Sequence, residues 1–240
     1  MLEGEVTIVA GTVVESHARI GSRFGRVVIG EGNYIQSASV LGGPPQDHGY
    51  REGYTELVIG NRNRIAEYVT INLGSAKGGG VTRIGDGNFL MAYAHLGHDC
   101  HLADDIVITN NTQLSGHTIV EKKAVLGGMG ATSQFVRLGE YCFLAGGAYA
   151  NKDILPYTIA EGRWATVRAT NRIGLRRAGF GAEERRNIDR AVRLLLNRGL
   201  TVAEAAARVR DECEDSPSIR HLLAFVAASE RGIARQASAR

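Results

Sequence analysis

Long apolar runs are missing from this chain of 240 residues. A membrane-spanning helix needs about 20 consecutive, mostly apolar residues, and no stretch of the sequence approaches that length. The amino-terminal residues MLEGEVTIVAGTVVE also lack the basic segment and apolar core of a secretion signal. We therefore expect no transmembrane segment and a cytoplasmic location.

Cysteine is scarce, and lysine is absent from the last third of the chain. The three cysteines are an odd number, so we expect core thiols in a reducing compartment rather than disulfides or a metal site. Residues 163–240 hold 16 arginines, no lysine and nine acidic residues, a net charge of +7 against −4 for residues 1–162. Such a region favours a phosphate-bearing or acidic partner. Few aromatic residues and no known motif argue against nucleic acid.

What the sequence does have is a six-residue period. A large, mostly aliphatic residue returns at every sixth position from Ile84 to Leu144, and only Thr132 departs from the aliphatic rule. A period of six fits neither an α-helix nor a simple strand, but it is typical of a parallel β-helix built from hexapeptides. The small residue four positions after each large one, such as Ala94 or Cys100, is expected to share the interior.

The repeat has two interruptions and a clear end. It is broken at 42–58, where GGPP cannot continue a strand, and at 74–83, a glycine-rich loop. It ends near Gly162, which predicts a β-helical domain at 1–162 and an α-helical domain at 163–240. Helices are predicted over 182–198, from Thr201 with a capping box to about 214, and after Ser216. The tail from Gly232 is expected to fray.

A β-helix leaves flat exposed faces and an open end. Solenoid proteins cover such surfaces by packing against other copies and by a terminal cap. We therefore expect a homotrimer, with the carboxyl-terminal helices packed side by side at the end of the coil.

Candidate chemistry lies in a cluster of histidines. Three hexapeptides make one coil, so residues spaced by 18 share a column: His98, Gly116 and Gln134 form one, and Asp99 and His117 the next. A histidine beside a carboxylate is suited to act as a general base. Gly116 lets a ligand approach a backbone N–H, and Gln134 offers an amide. Two alternatives are ordinary solvent-facing residues and three imidazoles around zinc, which the spacing does not require.

Seven segments carry a resemblance to a known family. They are PQDHGY, IGNRNRIAEYVTI, GGGVTRIGDGNFLMAYAHLGHDC, NNTQLSGH, LGGMGATSQF, PYTIAEG and NRIGLRRAGF. In this order, over nearly the whole chain, they resemble the acyl-ACP:UDP-N-acetylglucosamine O-acyltransferases of lipid A biosynthesis. The resemblance implies a left-handed parallel β-helix and a trimer with active sites between subunits. It implies no cofactor, because acyl carrier protein (ACP) brings the acyl chain as a substrate.

The resemblance also implies residue roles. His98 would take a proton from the sugar 3-hydroxyl as that oxygen attacks the acyl thioester, Asp99 would orient the catalytic region, and the N–H of Gly116 would stabilise the oxyanion. Other positions match substrate contacts. They are Asp47, His95 and His117 for sugar and phosphate, Gln134 for the acyl chain, and Asn171 and Arg177 for the nucleotide.

Four positions depart from the family pattern. Gly49 stands where a lysine is usual, Asn72 and Ser133 where histidines are usual, and Ala178 where the second arginine of a pair is usual. We count Asn72 among the substrate-binding candidates. The lost contacts lead to the hypothesis of a divergent acceptor, such as a 3-amino analogue of UDP-N-acetylglucosamine.

The end of the acyl groove is also distinctive. Gly146 matches a glycine that leaves a long groove open, whereas Trp164 and Phe143 are bulky residues near the same end. We therefore expect a short or medium acyl chain.

Three other functions stay open. One is a CoA-dependent sugar acetyltransferase of the same architecture, against which the NRIGLRRAGF segment argues. The second is a metal-dependent hydratase of the carbonic anhydrase kind. The third is a catalytically retired paralogue that only binds a ligand, which the changes at Gly49, Asn72 and Ser133 keep in consideration.

Overall fold

Short strands separated by corners make up most of the chain. A computed structural model describes residues 1–51 and 53–235. The strands are, in chain order, β1 (Glu5–Ile8), β2 (Val13–Val14), β3 (Arg19–Ile20), β4 (Gly25–Ile29), β5 (Tyr34–Ile35), β6 (Val40–Gly43), β7 (Thr55–Ile59), β8 (Arg64–Ile65), β9 (Thr70–Asn72), β10 (Val81–Ile84), β11 (Phe89–Leu90), β12 (His95–Leu96), β13 (His101–Leu102), β14 (Val107–Ile108), β15 (Gln113–Leu114), β16 (Ile119–Val120), β17 (Val125–Leu126), β18 (Ala131–Thr132), β19 (Arg137–Leu138), β20 (Phe143–Leu144), β21 (Tyr149–Ala150), β22 (Thr158–Glu161) and β23 (Thr166–Thr170).

These strands form three flat faces around one interior. Face 1 takes every third strand from β1 to β19, face 2 from β2 to β20, and face 3 from β3 to β21. Strands within a face run parallel, and the register pairs His95 with Gln113 and Leu96 with Leu114, one coil further on. The predicted left-handed parallel β-helix is therefore confirmed, together with the columns of residues 18 positions apart.

The interior is filled as the period predicts. Leu90, Leu96 and Leu114 at the large positions are fully buried, and so are Ala94 and Cys100 at the small positions. Burying each large side chain contributes about 1.5–3 kcal/mol before its entropy cost. Cys100 is a free, buried thiol, and burial raises its pKa to about 12. The expectation of core cysteines is met there.

Corners repeat an unusual backbone conformation. The third residue after each large interior position has positive φ in successive hexapeptides, for example Tyr93 (63°), Asp99 (58°), His117 (62°) and Phe135 (65°). This left-handed region is costly for residues with a Cβ, and here the tight turn between two faces imposes it. Each corner therefore aligns its side chains in a column along the coil.

Both inserted loops are shorter than predicted. Strand β6 continues to Gly43 and β7 begins at Thr55, so the first loop is 44–54 rather than 42–58. Strand β10 begins at Val81, so the second loop is 73–80 rather than 74–83, and it contains a 3-10 turn, Ala76–Gly78. The predicted bounds were wrong because neighbouring coils hydrogen-bond to these strand ends.

The boundary between the β-helical and the α-helical domain also differs from the predicted one, which lay between residues 162 and 163. Strand β23 pairs antiparallel with β22 and extends face 2, so the helical part begins at Arg172. This pairing covers backbone groups that the last coil leaves open. Ile233 forms a bridge with Asp153, and Ala234 is buried. The tail is therefore not frayed at Gly232, and residues 236–240 lie outside the described part.

Four helices follow β23. They are α1 (Arg172–Arg177), α2 (Ala182–Leu196), α3 (Val202–Glu212) and α4 (Pro217–Ala227). The capping box at Thr201 and the cap at Ser216 are confirmed, whereas α1 was not predicted. Their core includes Leu155 and Tyr157 from the last coil, so the helices cap its end. Within residues 1–51 and 53–235, no helix has the length and apolar character to cross a bilayer.

Candidate active site

His98 and Asp99 occupy the corner where β12 turns from face 3 into face 1. His98 lies outside the β-helix interior, as predicted, yet each of the two residues is only 4% exposed. The alternative of ordinary solvent-facing residues is therefore wrong for this corner. The 3-10 turn reaches over the corner, because a Cβ built on Gly78 would lie 2.2 Å from Cγ of Asp99. The two inserted loops convert an outward corner into a covered site.

Asp99 holds the imidazole of His98 in one orientation. Nδ1 of His98 lies 2.8 Å from Oδ2 of Asp99. Ser75 fixes that carboxylate with two donors, its hydroxyl at 2.6 Å and its N–H at 2.9 Å, and the N–H of Asp99 donates to the hydroxyl of Thr82 at 2.8 Å. Because a carboxylate can only accept, Nδ1 carries the proton of the neutral ring and Nε2 is left as an acceptor.

Gly116 makes room for the His98 ring itself. A Cβ at Gly116 would lie 2.6 Å from Cε1 and 2.7 Å from Nε2 of His98. The prediction that this glycine opens space for a ligand therefore needs a correction, since the imidazole fills much of that space. In the described part of the chain the N–H of Gly116 has no acceptor, so it remains available beside Nε2.

Two further imidazoles adjoin this pair. His117 lies edge-on to His98 at 5.0 Å and stacks on Phe135 at 4.3 Å. Burial lowers the pKa of His117 and also that of His95, whose Nδ1 lies 2.7 Å from the hydroxyl of Thr70. Lowered pKa values favour neutral rings, which can both donate and accept hydrogen bonds to a polar ligand.

A cleft of about 170 Å³ opens beside His98. The predicted column of His98, Gly116 and Gln134 lines it together with His95 of face 3, and Gln46 of the first loop contributes from above. Four of the predicted positions thus meet in one place. Asp47 is adjacent in that loop, and Asp99 and His117 lie behind His98.

Asp47 lies in the first loop, and Asn72 ends strand β9 of the coil and contacts that loop. Asp47 accepts a hydrogen bond from the N–H of Gly49 at 2.8 Å, which is the main reason why its pKa is lowered. Asn72 is buried, and its amide donates to the carbonyl oxygen of Pro44 at 3.0 Å. Its carbonyl oxygen has no partner in the described part of the chain. Asn72 therefore anchors the loop with one half of its amide and leaves the other half unused.

Four predicted positions lie away from His98 within one chain. Gly146 is exposed at the opposite edge of face 3, and Trp164 packs against Tyr149 at the end of the coil, with ring centroids 4.9 Å apart and planes tilted by 36°. Asn171 caps α1 by accepting from Gly174 and also donates to the carbonyl of Tyr141. Arg177, the fourth of these positions, is exposed in α1. A single chain does not bring these four residues to the histidines.

The sequence analysis missed the residues of the second loop and of the start of β10. Ser75 and Thr82 fix Asp99, and the turn at Gly78 covers it. The glycine-rich composition of this loop favoured a flexible segment, and hydroxyl residues on either side of GGG were the available signal. In the described part, His98, Asp99 and His117 are also the one group with donors close enough to share a metal ion, within 4.8 Å. The direct hydrogen bond between the first two accounts for that proximity without an ion.

A left-handed parallel β-helix with a histidine–aspartate pair in a cleft at its corner defines the class of hexapeptide-repeat acyltransferases. Comparisons with known proteins agree. Residues 153–234 match the family profile described as UDP N-acetylglucosamine O-acyltransferase, domain 2. The chain is 44% identical over 195 residues to an acyl-[acyl-carrier-protein]–UDP-N-acetylglucosamine O-acyltransferase of Alkalilimnicola ehrlichii, which covers 81% of this chain and 76% of that protein.

Solved structures lead to the same family. LpxA from Acinetobacter baumannii superposes with a TM-score of 0.92 at 30% identity, covering 98% of this chain and 92% of the other. LpxA from Bacteroides fragilis, a UDP-N-acetylglucosamine acyltransferase, gives 0.85 at 33% identity and covers 98% and 95%. The chain therefore belongs to the acyl-[acyl-carrier-protein]–UDP-N-acetylglucosamine O-acyltransferase family.

Proposed function

We propose that this enzyme moves a 3-hydroxyacyl chain from ACP to the 3-position of UDP-N-acetylglucosamine, the first step of lipid A synthesis. Its relatives are named acyl-[acyl-carrier-protein]–UDP-N-acetylglucosamine O-acyltransferases, which supports the donor and the acceptor. The single observation that carries the proposal within this chain is the bond from Nδ1 of His98 to Asp99 at 2.8 Å, which leaves Nε2 beside the cleft.

The chemistry needs a base, an oxyanion site and exclusion of water. Nε2 of His98 takes the proton of the sugar hydroxyl while that oxygen attacks the thioester carbonyl, and Asp99 stabilises the imidazolium that forms. The N–H of Gly116 donates to the tetrahedral oxyanion. As the carbonyl re-forms, the C–S bond breaks and His98 returns its proton to the departing thiolate of ACP. The products are the 3-acyl sugar nucleotide and free ACP thiol.

The acceptor is best tested with two sugars. A sugar hydroxyl is a weak acid that needs a positioned base, and the oriented His98 supplies one. The departures at Gly49, Asn72 and Ser133 favour the 3-amino analogue as a second candidate. Mass spectrometry of reactions with each nucleotide sugar and a panel of acyl-ACP thioesters distinguishes the two. Turnover of the analogue alone contradicts the hydroxyl acceptor.

His98→Ala tests whether the chain is an enzyme or a binder. We expect kcat to fall by about 10²–10⁴-fold, as for loss of a general base, with UDP-N-acetylglucosamine affinity largely kept. His101→Ala is the matched control, because that imidazole lies three residues further on and is exposed on face 1. Equal kcat for His98→Ala and wild type contradicts the proposed base. No turnover by wild type, with affinity intact, favours the retired paralogue.

The arginine-rich helices suit ACP, the proposed donor. A cavity of about 390 Å³ between α1 and α2 is lined by Arg172, Arg176, Arg185 and Arg186, with Asp189 as its one acidic residue. Asp189 is already paired with Arg172 at 2.8 Å, so positive charge is in excess. An acidic protein that carries a phosphate-linked arm fits such a surface. Both substrates place the reaction, as proposed, in the cytoplasm.

A homotrimer completes the site in this proposal. Tyr68 and Tyr93 stack at 4.8 Å along the corner of faces 2 and 3, and Met129 lies further up the same column. All three side chains are at least half exposed. An exposed apolar strip of this kind favours contact with another copy. Gly146 at the same edge, which is distant from His98 of its own chain, then reaches the cleft of a neighbour.

The acyl chain is predicted to be short or medium. Trp164 packs on Tyr149 at the end of face 3, and we infer that these two aromatic rings limit the length of the bound acyl chain. Trp164→Ala is expected to shift the preferred acyl-ACP to a longer chain with little change in UDP-N-acetylglucosamine KM. Phe143, which was predicted near the same end, instead lies in β20 on face 2, so Phe143→Ala serves as the control. Wild-type preference for a 14-carbon chain contradicts this prediction.

A further inference from the structure

Lys77 is held over the site by its neighbours. It lies in the 3-10 turn Ala76–Gly78, between Ser75, which donates to Asp99, and Gly78, which packs against that carboxylate. Ser75 also caps the turn by accepting from the N–H of Gly78. The backbone of Lys77 is therefore fixed although its side chain is exposed.

The ammonium of Lys77 occupies space left by a glycine in the opposite loop. A Cβ built on Gly49 would lie 2.9 Å from Nζ of Lys77 and 3.4 Å from each carboxylate oxygen of Asp47. Gly49 does not adopt the left-handed conformation that only glycine accepts readily, so the backbone does not require a glycine there. A side chain at position 49 would therefore compete with the Lys77 ammonium for this space.

The ammonium of Lys77 is free to bind an anionic ligand beside the cleft. Among the described residues, Nζ of Lys77 has no ion-pair partner within 4.0 Å, although its charge acts on Asp47 from a longer distance, and the cleft itself is lined without lysine or arginine. Asp47 stays anionic, because the N–H of Gly49, and to a smaller extent His98 and Lys77, lower its pKa. An anionic ligand entering here meets Asp47 and needs a cation beside it.

We propose that Lys77 binds the diphosphate of the nucleotide sugar, delivering from the second loop the charge that a lysine at position 49 would deliver from the first. The identity of this ligand rests on the proposed function, whereas the cation site does not. An ammonium on a flexible stem can approach a phosphate as a point charge from either loop. The positive charge for the diphosphate is therefore retained, but the lysine that carries it lies in the second loop and the glycine lies in the first.

Calorimetry with uridine diphosphate and with uridine tests this assignment. Lys77→Gln is expected to weaken uridine diphosphate binding by about tenfold, the usual effect of one lost charged hydrogen bond, and to leave uridine binding unchanged. Lys123→Gln is the matched control, because that ammonium lies over Tyr141 at another corner. Equal affinity of Lys77→Gln and wild type for uridine diphosphate overturns the proposal.

Moving the lysine from the second loop to the first gives a sharper test. The double variant Lys77→Gln, Gly49→Lys is expected to recover most of the lost affinity, since removal of the Lys77 ammonium frees the volume at Gly49. In turnover, Lys77→Gln should raise KM for the nucleotide sugar about tenfold with kcat nearly unchanged. A double variant no better than Lys77→Gln contradicts the exchange.

Two results separate this inference from the proposed function. A wild-type protein that binds uridine diphosphate through Lys77 but transfers no acyl chain contradicts the activity and supports the site. A Lys77→Gln variant that raises KM only for acyl-ACP, with unchanged uridine diphosphate affinity, overturns the site and leaves the activity in place. In that case the phosphate served by Lys77 belongs to the donor.

Discussion

At the scale of single residues, the site depends on one carboxylate that accepts three hydrogen bonds. Asp99 accepts from His98 and twice from Ser75. It can do this because its own backbone sits in the left-handed corner conformation, with φ of 58°. The sequence predicted the pairing of His98 with a carboxylate, but not the hydroxyl that fixes it.

Asp99→Asn tests this orientation. Asparagine tolerates the left-handed backbone, so we expect an intact fold, but an amide group cannot replace both acceptors and the imidazole tautomer is lost. We expect kcat to fall at least about hundredfold, as when the carboxylate of a catalytic triad becomes an amide, with a loss of stability of only about 1–3 kcal/mol for the donors left unpaired. Asp105→Asn controls for the corner conformation, since Asp105 has φ of 57° at another corner. Equal losses in both variants would contradict a specific role.

At the scale of elements, the loops decide what the coil can do. The hexapeptide strands are regular enough to be placed from sequence, because one side chain in six must fill the interior. The loops obey no such period, and their closure over His98 depends on contacts between 44–54, 73–80 and the corner. Composition alone made the second loop look flexible, whereas its hydroxyl groups tie it to Asp99.

Gly78→Ala tests the covering turn. The added Cβ would lie 2.2 Å from Cγ of Asp99, so the turn or the carboxylate must move. A displacement of about 1 Å at a catalytic pair costs about hundredfold in rate, and we expect a loss of kcat of that order with little loss of stability. Gly181→Ala, where nothing lies within 4 Å of the new Cβ, should remain active. A fully active Gly78→Ala enzyme would show that the turn does not hold the pair.

Helix α4 is joined to the coil by a charged contact that depends on pH. The imidazole of His221 lies 2.8 Å from the carboxylate of Glu121, which also pairs with Arg137 at 3.2 Å. The hydrogen bond that His221 donates to the carboxylate of Glu121 raises the pKa of His221. A raised pKa contributes stability that is complete below the usual histidine value of about 6.5 and is lost as pH rises through the folded value.

Hydrogen exchange of the α4 amides checks this sign. The α4 amides of wild type should be better protected than those of His221→Gln. This difference in protection should be larger at about pH 6 than at about pH 8.5. Arg137 keeps Glu121 paired at the higher pH, so wild type should not fall below the variant. His17→Gln, in an exposed corner of the first coils, should match wild type at both values. A difference that grows with pH would contradict the assignment.

At the scale of the whole molecule, the proposed trimer predicts mass and activity together. Light scattering should give three times the 25.8 kDa of one chain. Tyr93→Glu places a charge in the exposed aromatic strip, and we expect dissociation and loss of acyl transfer if the site is shared between copies as proposed. Val202→Glu adds the same charge on the exposed side of α3 and should stay trimeric. An active, monomeric Tyr93→Glu protein would contradict the shared site.

The sequence by itself determined the β-helix, its columns and the histidine cluster, because a six-residue period leaves a single way to bury the aliphatic positions. It also determined the caps of α3 and α4, which are local hydrogen bonds. Tertiary structure alone decided that β23 extends the coil, that the loops bury His98, and that Lys77 lies in the space left by Gly49. Those outcomes join residues through contacts across loops and coil ends, where no repeating spacing records which groups will meet.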